Sequence, residues 1–309
     1  MSGKWHSVLM RACFAITVGF AAVPAPAQVA RVFLSGTGDD ANDCSNAATP
    51  CRSLQGAVNQ CPVNGEVIIM SSGGFGAANI TKSLTINAPA GIVAFDARTI
   101  TVNIGATDKV IIRGLSMNGS VFGDSIGISF NNLGTLVVEN SVIGGFGNGI
   151  LQSGGGSNLV VKNCDIRRNL SGIVGGPGTT PISTMTVEHS RLASNSNFGV
   201  WISDNIRAVI RDSAASGNGT AFAIDQNVAG GSMLLDGCVA SSNETGIFAN
   251  GNNGVAATIR VTNTTISGNT YGVSTTGSGQ IVSYGTNHLW KSPYLPFDNG
   301  VFSSSVARQ

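Results

Sequence analysis

Val138-Glu139-Asn140-Ser141-Val142-Ile143 returns along the chain as Val161-Lys162-Asn163-Cys164-Asp165-Ile166, Val187-Glu188-His189-Ser190-Arg191-Leu192 and Val261-Thr262-Asn263-Thr264-Thr265-Ile266. Each copy leads within a few residues to an Asn and then a Gly–apolar pair, as in Gly149-Ile150, Gly172-Ile173, Gly199-Val200 and Gly272-Val273. Weaker copies at Arg211-Asp212-Ser213 and Asp236-Gly237-Cys238 fill the gap, the second leading to Gly246-Ile247. Anchored on the Asn position, the copies stand at 140, 163, 189, 212, 237 and 263, at intervals of 23, 26, 23, 25 and 26 residues. A period near 25 with no helical pattern inside it predicts a β-solenoid. Each repeat is then one coil, which buries its inner face only by stacking on its neighbours.

Alternation within the repeat supports this. Val138, Val161, Val187, Ile210, Leu235 and Val261 form one inward column. Ser141, Cys164, Ser190, Ser213, Cys238 and Thr264 form a second, and Ile143, Ile166, Leu192, Ala215, Ala240 and Ile266 a third. The intervening positions are mostly polar or charged, as a period of two requires. Asn at the corner tolerates a left-handed backbone and is expected to stack its amides coil on coil. A further Asn column runs through 169, 195, 218, 243 and 269.

Only 11% of the 309 residues are charged and Gly numbers 42, yet the mean hydropathy is positive, which disfavours disorder. Lys4 and Arg11, the apolar run 12–23 and Ala25-Pro26-Ala27 read as a signal peptide over residues 1–27. The run is too short to span a bilayer comfortably, and no later stretch could cross one. Without Lys4 and Arg11 the chain keeps 15 basic residues against 16 acidic, a balance that gives no support for nucleic acid as partner. Export permits disulfides, and five cysteines (44, 51, 61, 164 and 238) remain after the leader, so at least one thiol is free.

Residues 28–76 differ from the repeats. They hold a short strand (Val32-Phe33-Leu34), a polar turn and a segment 52–60 whose Leu54, Ala57 and Val58 share one helical face. This segment is expected to cap the open end of a stack that occupies 77–285, with 286–309 closing the other end. A helix over 52–60 would hold residues 51 and 61 about 15 Å apart. Cys44 is therefore expected to pair with Cys51 or Cys61, while Cys51 and Cys61 do not pair with each other. Cys164 and Cys238 lie three coils apart in one inward column and are expected to be buried thiols.

These features resemble the right-handed parallel β-helix superfamily with the pectate-lyase-like fold, over roughly residues 32–285. The resemblance implies an all-β, single-stranded right-handed parallel β-helix of roughly ten coils with a short N-terminal capping helix. It covers polysaccharide lyases, hydrolases, epimerases and depolymerases, and so implies glycans as ligands by analogy of fold. The clustered carboxylates of its calcium-dependent lyases are not matched here, nor are the paired aspartates and Gly-His-Gly of its hydrolases. Asp39, Asp40, Asn42 and Asp43 lack the spacing of a calcium loop and read as a polar turn. No cofactor is expected, and calcium is unsupported.

Three groups of residues could carry function. Arg113, Glu139, Lys162, Glu188, Arg211 and Asp236 alternate in sign on successive coils, the pattern of a charge ladder that fixes register. Lys162, Asp165, Arg167, Arg168, Glu188, His189 and Arg191 make the densest polar patch, able to hold an acidic sugar with His189 as its titratable member. Trp201 lies in an outward column with Leu151, Val174, Ala223 and Phe248, to be stacked on by sugar or covered by a loop or by the aromatic segment 288–302. The reading that results is a secreted or periplasmic monomer that binds an extracellular or cell-envelope polysaccharide without standard lyase or hydrolase machinery. The alternative is a polysaccharide lyase or epimerase acting on an acidic glycan.

Overall fold

The computed structural model describes residues 30–176, 180–290 and 298–307. The expected leader, residues 1–27, lies outside them, as do Tyr294 and Phe297. One coil shows how the repeat becomes structure. Ser157–Lys162 forms a strand of the first sheet, and Asn163 turns the corner. Asp165–Arg167 forms a short strand of the second sheet; Arg168 turns again, and Ser171–Gly175 joins the third. Repetition builds sheets of 12, 10 and 9 strands in which each strand pairs in parallel with its counterparts in the coils before and after. The result is a β-solenoid of about nine turns, against the roughly ten expected from the spacing.

The three inward columns read from the sequence line the core: from Val138 to Val261, from Ser141 to Thr264 and from Ile143 to Ile266, every member is buried. The hydroxyls of the middle column are satisfied locally. Ser190 Oγ donates to the Glu188 carbonyl at 2.8 Å and accepts the Cys164 N–H at 3.2 Å, and Ser213 Oγ repeats the pattern one coil on. Cys164 and Cys238 occupy the same column, each with Sγ directed to the carbonyl two residues back.

The corner column is left-handed throughout. Asn140, Asn163, His189, Asp212 and Asn263 have φ between 46° and 52°, and Gly237 has φ 64°. Short polar side chains and glycine tolerate that backbone best, which explains the composition of the column. The expected amide stack, however, belongs to the other Asn column. The corner side chains face solvent, whereas Asn169, Asn195, Asn218, Asn243 and Asn269 are buried. Each of the first four donates from Nδ2 to Oδ1 of the next, at 2.9–3.1 Å. Asn269 donates in turn to the Asp298 carboxylate at 2.9 Å.

Helix Leu54–Gln60, capped by Ser53 Oγ accepting the Gly56 N–H, buries Leu54, Ala57 and Val58 at the N-terminal end. Cys44 and Cys51 form a disulfide, and Cys61, Cys164 and Cys238 are buried free thiols. The carboxylates of the 39–43 turn are taken up locally: Asp40 Oδ1 accepts the N–H groups of Arg52 and Ser53, and Asp39 and Asp43 each accept one two residues on. Trp290 is exposed, while Phe302 packs against the core. No helix among the described residues is long and apolar enough to cross a membrane.

Candidate functional site

The polar residues singled out in the sequence fall on different faces. On the first sheet the register sets Arg113, Glu139, Lys162, Glu188, Arg211 and Asp236 side by side. Arg113 pairs with Glu139; Glu188 is held 3.2 Å from Lys162 Nζ and 3.8 Å from Arg211 Nη1. These charges are spent largely on one another. His189 stands at the exposed corner with Nε2 3.7 Å from the Asp212 carboxylate. Trp201 belongs to the third sheet, half-buried and stacked on Phe198 with ring centroids 6.0 Å apart. The second sheet brings the remainder together. Asp165 lies opposite Arg191 in register, 3.4 Å from its Nη1, and its other oxygen is 2.9 Å from Arg167 Nη1.

Arg168 differs from all of these. It occupies the left-handed turn between the second and third sheets, with φ 55°. Equivalent turns in other coils use Gly145, Ser194, Gly217, Ser242 and Gly268, all small. A bulky side chain there costs on the order of 1–2 kcal/mol. Its guanidinium is exposed and has no hydrogen-bond or ion-pair partner among the described residues. A permanently charged, unpaired group on a strained backbone is the kind of feature a fold keeps for binding.

Arg167 and Arg168 form one end of a depression of about 270 Å³ on the second sheet, whose other lining includes Ser116, Asn118, Ser120 and Gly144. Gly144 stands in register between Asn118 and Arg167, so the middle of that row has no side chain, and a Cβ there would meet the Arg167 carbonyl oxygen at 2.6 Å. A second, mostly apolar depression of about 400 Å³ continues toward the N-terminal end, lined by Phe75, Phe95, Ala97, Arg98, Val121 and Phe122. Phe95 lines both.

A break in the repeat creates the wall between them. Three residues, 145–147, separate the second-sheet strand Val142–Gly144 from the third-sheet strand Asn148–Gln152. In the preceding coil seven residues, 119–125, separate Leu115–Asn118 from Ile126–Phe130. The extra chain forms a 3₁₀ turn, Gly119–Val121, capped by Asn118 Oδ1 accepting the Ser120 N–H at 3.1 Å. The amide nitrogen of Asn118 and the hydroxyl of Ser120 have no partner among the described residues and line one side, and Val121 and Phe122 line the other. Insertions into solenoid repeats commonly build binding faces.

Asp96 lies beside this wall, at the end of strand Ala94–Asp96, and points inward. It is 3% exposed. Its Oδ1 accepts the Arg98 N–H at 2.9 Å, and its Oδ2 has no partner among the described residues. Burial pushes the carboxyl up to about 7, against the pull of the Arg98 and Ala97 N–H groups. The described residues contain no group of three or more His, Cys, Asp or Glu placed to hold a metal.

Comparison with known proteins agrees with this architecture. The family described as right handed beta helix region matches residues 101–287. No curated protein matches the sequence. Among solved structures, the complex of XylC with xylose superposes with a TM-score of 0.56 at 10% identity, covering 80% of this chain and 70% of that one. A pectate lyase, Pel9A, gives 0.52 at 15% identity, covering 83% and 75%, and a rhamnogalacturonan lyase gives 0.51 at 13%, covering 75% and 74%. At these identities the likeness is one of fold.

Proposed function

The chain belongs to the right-handed β-helix family, and we propose that it binds an acidic extracellular or cell-envelope polysaccharide in the depression between Asn118–Ser120 and Arg167–Arg168. One observation carries this reading: Arg168, on a left-handed turn and with no guanidinium partner among the described residues, lines the same depression as Asn118 and Ser120. A guanidinium grips a carboxylate through two parallel hydrogen bonds, and neighbouring amide and hydroxyl groups suit sugar hydroxyls. Structures of similar fold act on or hold saccharides, which favours the same ligand class here. The Cys44–Cys51 disulfide suits an oxidising compartment outside the cytoplasm, in keeping with residues 1–27 as an export signal.

Binding is favoured over catalysis by what lines the two depressions. Neither is lined by a carboxylate, imidazole, amine or thiol, and arginine stays protonated at neutral pH. Lyase, epimerase or hydrolase chemistry needs a group that gives or takes a proton. A polysaccharide array, paired with a depolymerisation assay on the same polymers, tests the reading. Retention of uronate polymers without chain cleavage is expected, with retention lost in the Arg167→Ala, Arg168→Ala double variant. Failure of the parent chain to retain any uronate polymer overturns it, and cleavage would instead make the protein an enzyme.

A further inference from the structure

The apolar depression next to the arginines shows what kind of acidic chain fits. We propose that the hollow formed by Phe75, Phe95, Val121 and Phe122 is a second subsite, taking the C–H face of a neutral sugar ring. The ligand is then a chain in which uronic acid and neutral sugar units alternate, lying along the solenoid axis. This inference rests on the preceding assignment of the arginine depression to a uronate.

Three observations carry it. First, the two hollows are continuous through Phe95, and one turn supplies a wall to each: Asn118 and Ser120 to the polar side, Val121 and Phe122 to the apolar side. A ligand that fills one is led into the other. Second, the cation in the apolar hollow is already neutralised. Arg98 Nε is 3.4 Å from the Asp124 carboxylate, and its guanidinium stacks on the Phe122 ring at 5.1 Å. This hollow therefore offers an acidic unit no free charge, in contrast to Arg168. Third, Phe122 is 62% exposed and Val121 52%, on an insertion that the neighbouring coils lack. An aromatic ring that meets Arg98 yet keeps most of its surface in solvent, on inserted chain beside a polar depression, matches the mixed character of a pyranose: C–H groups on one face and hydroxyls at the rim.

The geometry also sets a minimum ligand length. The register runs Phe95, Ser116, Val142, Asp165 on successive strands. Three strand spacings, about 14 Å, separate the Phe95 strand, which borders both hollows, from the strand Asp165–Arg167, so a ligand reaching from Phe95 to the arginines is longer than one sugar ring.

The test compares two hexasaccharides by calorimetry: one of galacturonate only, and one in which galacturonate alternates with rhamnose, a neutral sugar bearing a methyl group. The parent chain should bind the alternating hexamer about tenfold more tightly than the all-uronate one, as a stacked apolar contact would give. Phe122→Ala should remove that advantage and leave the all-uronate affinity within about twofold, and Phe122→Tyr, which keeps the ring, should restore it. Arg168→Ala should weaken both ligands. The ring of Phe122 is largely exposed and stacks on Arg98, so the alanine variant should melt only slightly below the parent. Equal affinity of the parent for the two hexamers, or an unchanged preference in Phe122→Ala, overturns the neutral subsite. If Arg168→Ala still weakens both ligands, the uronate site stands without it. If the parent binds neither hexamer, both fall together.

Discussion

Arg168 and Asp96 are the two residues whose placement works against stability, and each yields a prediction. Arg168 holds a left-handed backbone that its neighbours in the column leave to Gly or Ser. Arg168→Gly should raise the stability of the protein by roughly 0.5–1 kcal/mol, read from denaturant midpoints, while weakening uronate binding. A gain in both, or a loss of stability, would contradict a role in binding. Asp96 keeps its proton longer in the folded chain, to about 7, than a free carboxyl near 3.8. The folded state thus binds more protons than the unfolded one between these values, and stability falls as pH rises through that window. The cost is up to about 4 kcal/mol at neutral pH. Asp96→Asn keeps an acceptor for the Arg98 N–H and removes the charge. Its stability relative to the parent should rise between pH 4.5 and 7.5 in parallel urea titrations; a constant difference would refute the burial argument. Neither residue was legible as special in the sequence. Arg168 stands there among several cations, and only the structure reveals that, among the described cations, it alone is both on a left-handed backbone and without a side-chain partner. Asp96 lies before the recognisable repeats, where no column shows which way it points.

The repeating elements were far more legible. Period-two alternation placed all three inward columns correctly, because a one-residue slip would drive the whole charged row into the core. It also anticipated the sign-alternating row on the first sheet. The stacked amides were assigned to the corner, yet the stack runs through the buried column from Asn169 to Asn269. Both columns are Asn-rich for different reasons, left-handed backbone in one and buried hydrogen bonding in the other, and composition does not separate these. The buried ladder predicts a large effect from a small change. Asn218 donates to the Leu192 carbonyl and to Asn243, and accepts from Asn195. Asn218→Ala strands these partners inside the core and should cost about 3 kcal/mol in chemical denaturation. A loss below about 0.5 kcal/mol would show that the ladder is incidental. Cys164 and Cys238 stand in a column of hydroxyls, and burial raises each thiol to about 11. Alkylation should label neither, nor Cys61, until the chain is unfolded, and peptide mapping should recover only the 44–51 bridge.

Across the whole molecule the turns between the second and third sheets are regular enough that the long one at 119–125 is the informative part. Spacing alone conceals it, because coil lengths between 23 and 26 residues mix insertions made at different corners. The polar patch read from the sequence holds Arg167 and Arg168 but also Lys162 and Glu188, which the three-sheet cross-section turns to another face. Phe95, Asn118, Ser120 and Phe122, which line the proposed subsites, lie in two successive coils without the Asn signature and do not stand out in the sequence. The claim that joins these scales is that the second sheet carries an anion site built around Arg168. Titration of a galacturonate hexamer into the parent chain and into Arg168→Gly, with the melting temperature of both recorded, tests it most directly. At least about tenfold weaker binding by the variant is expected, at an equal or higher melting temperature. Equal affinity in the two chains, or no binding by the parent, would contradict it.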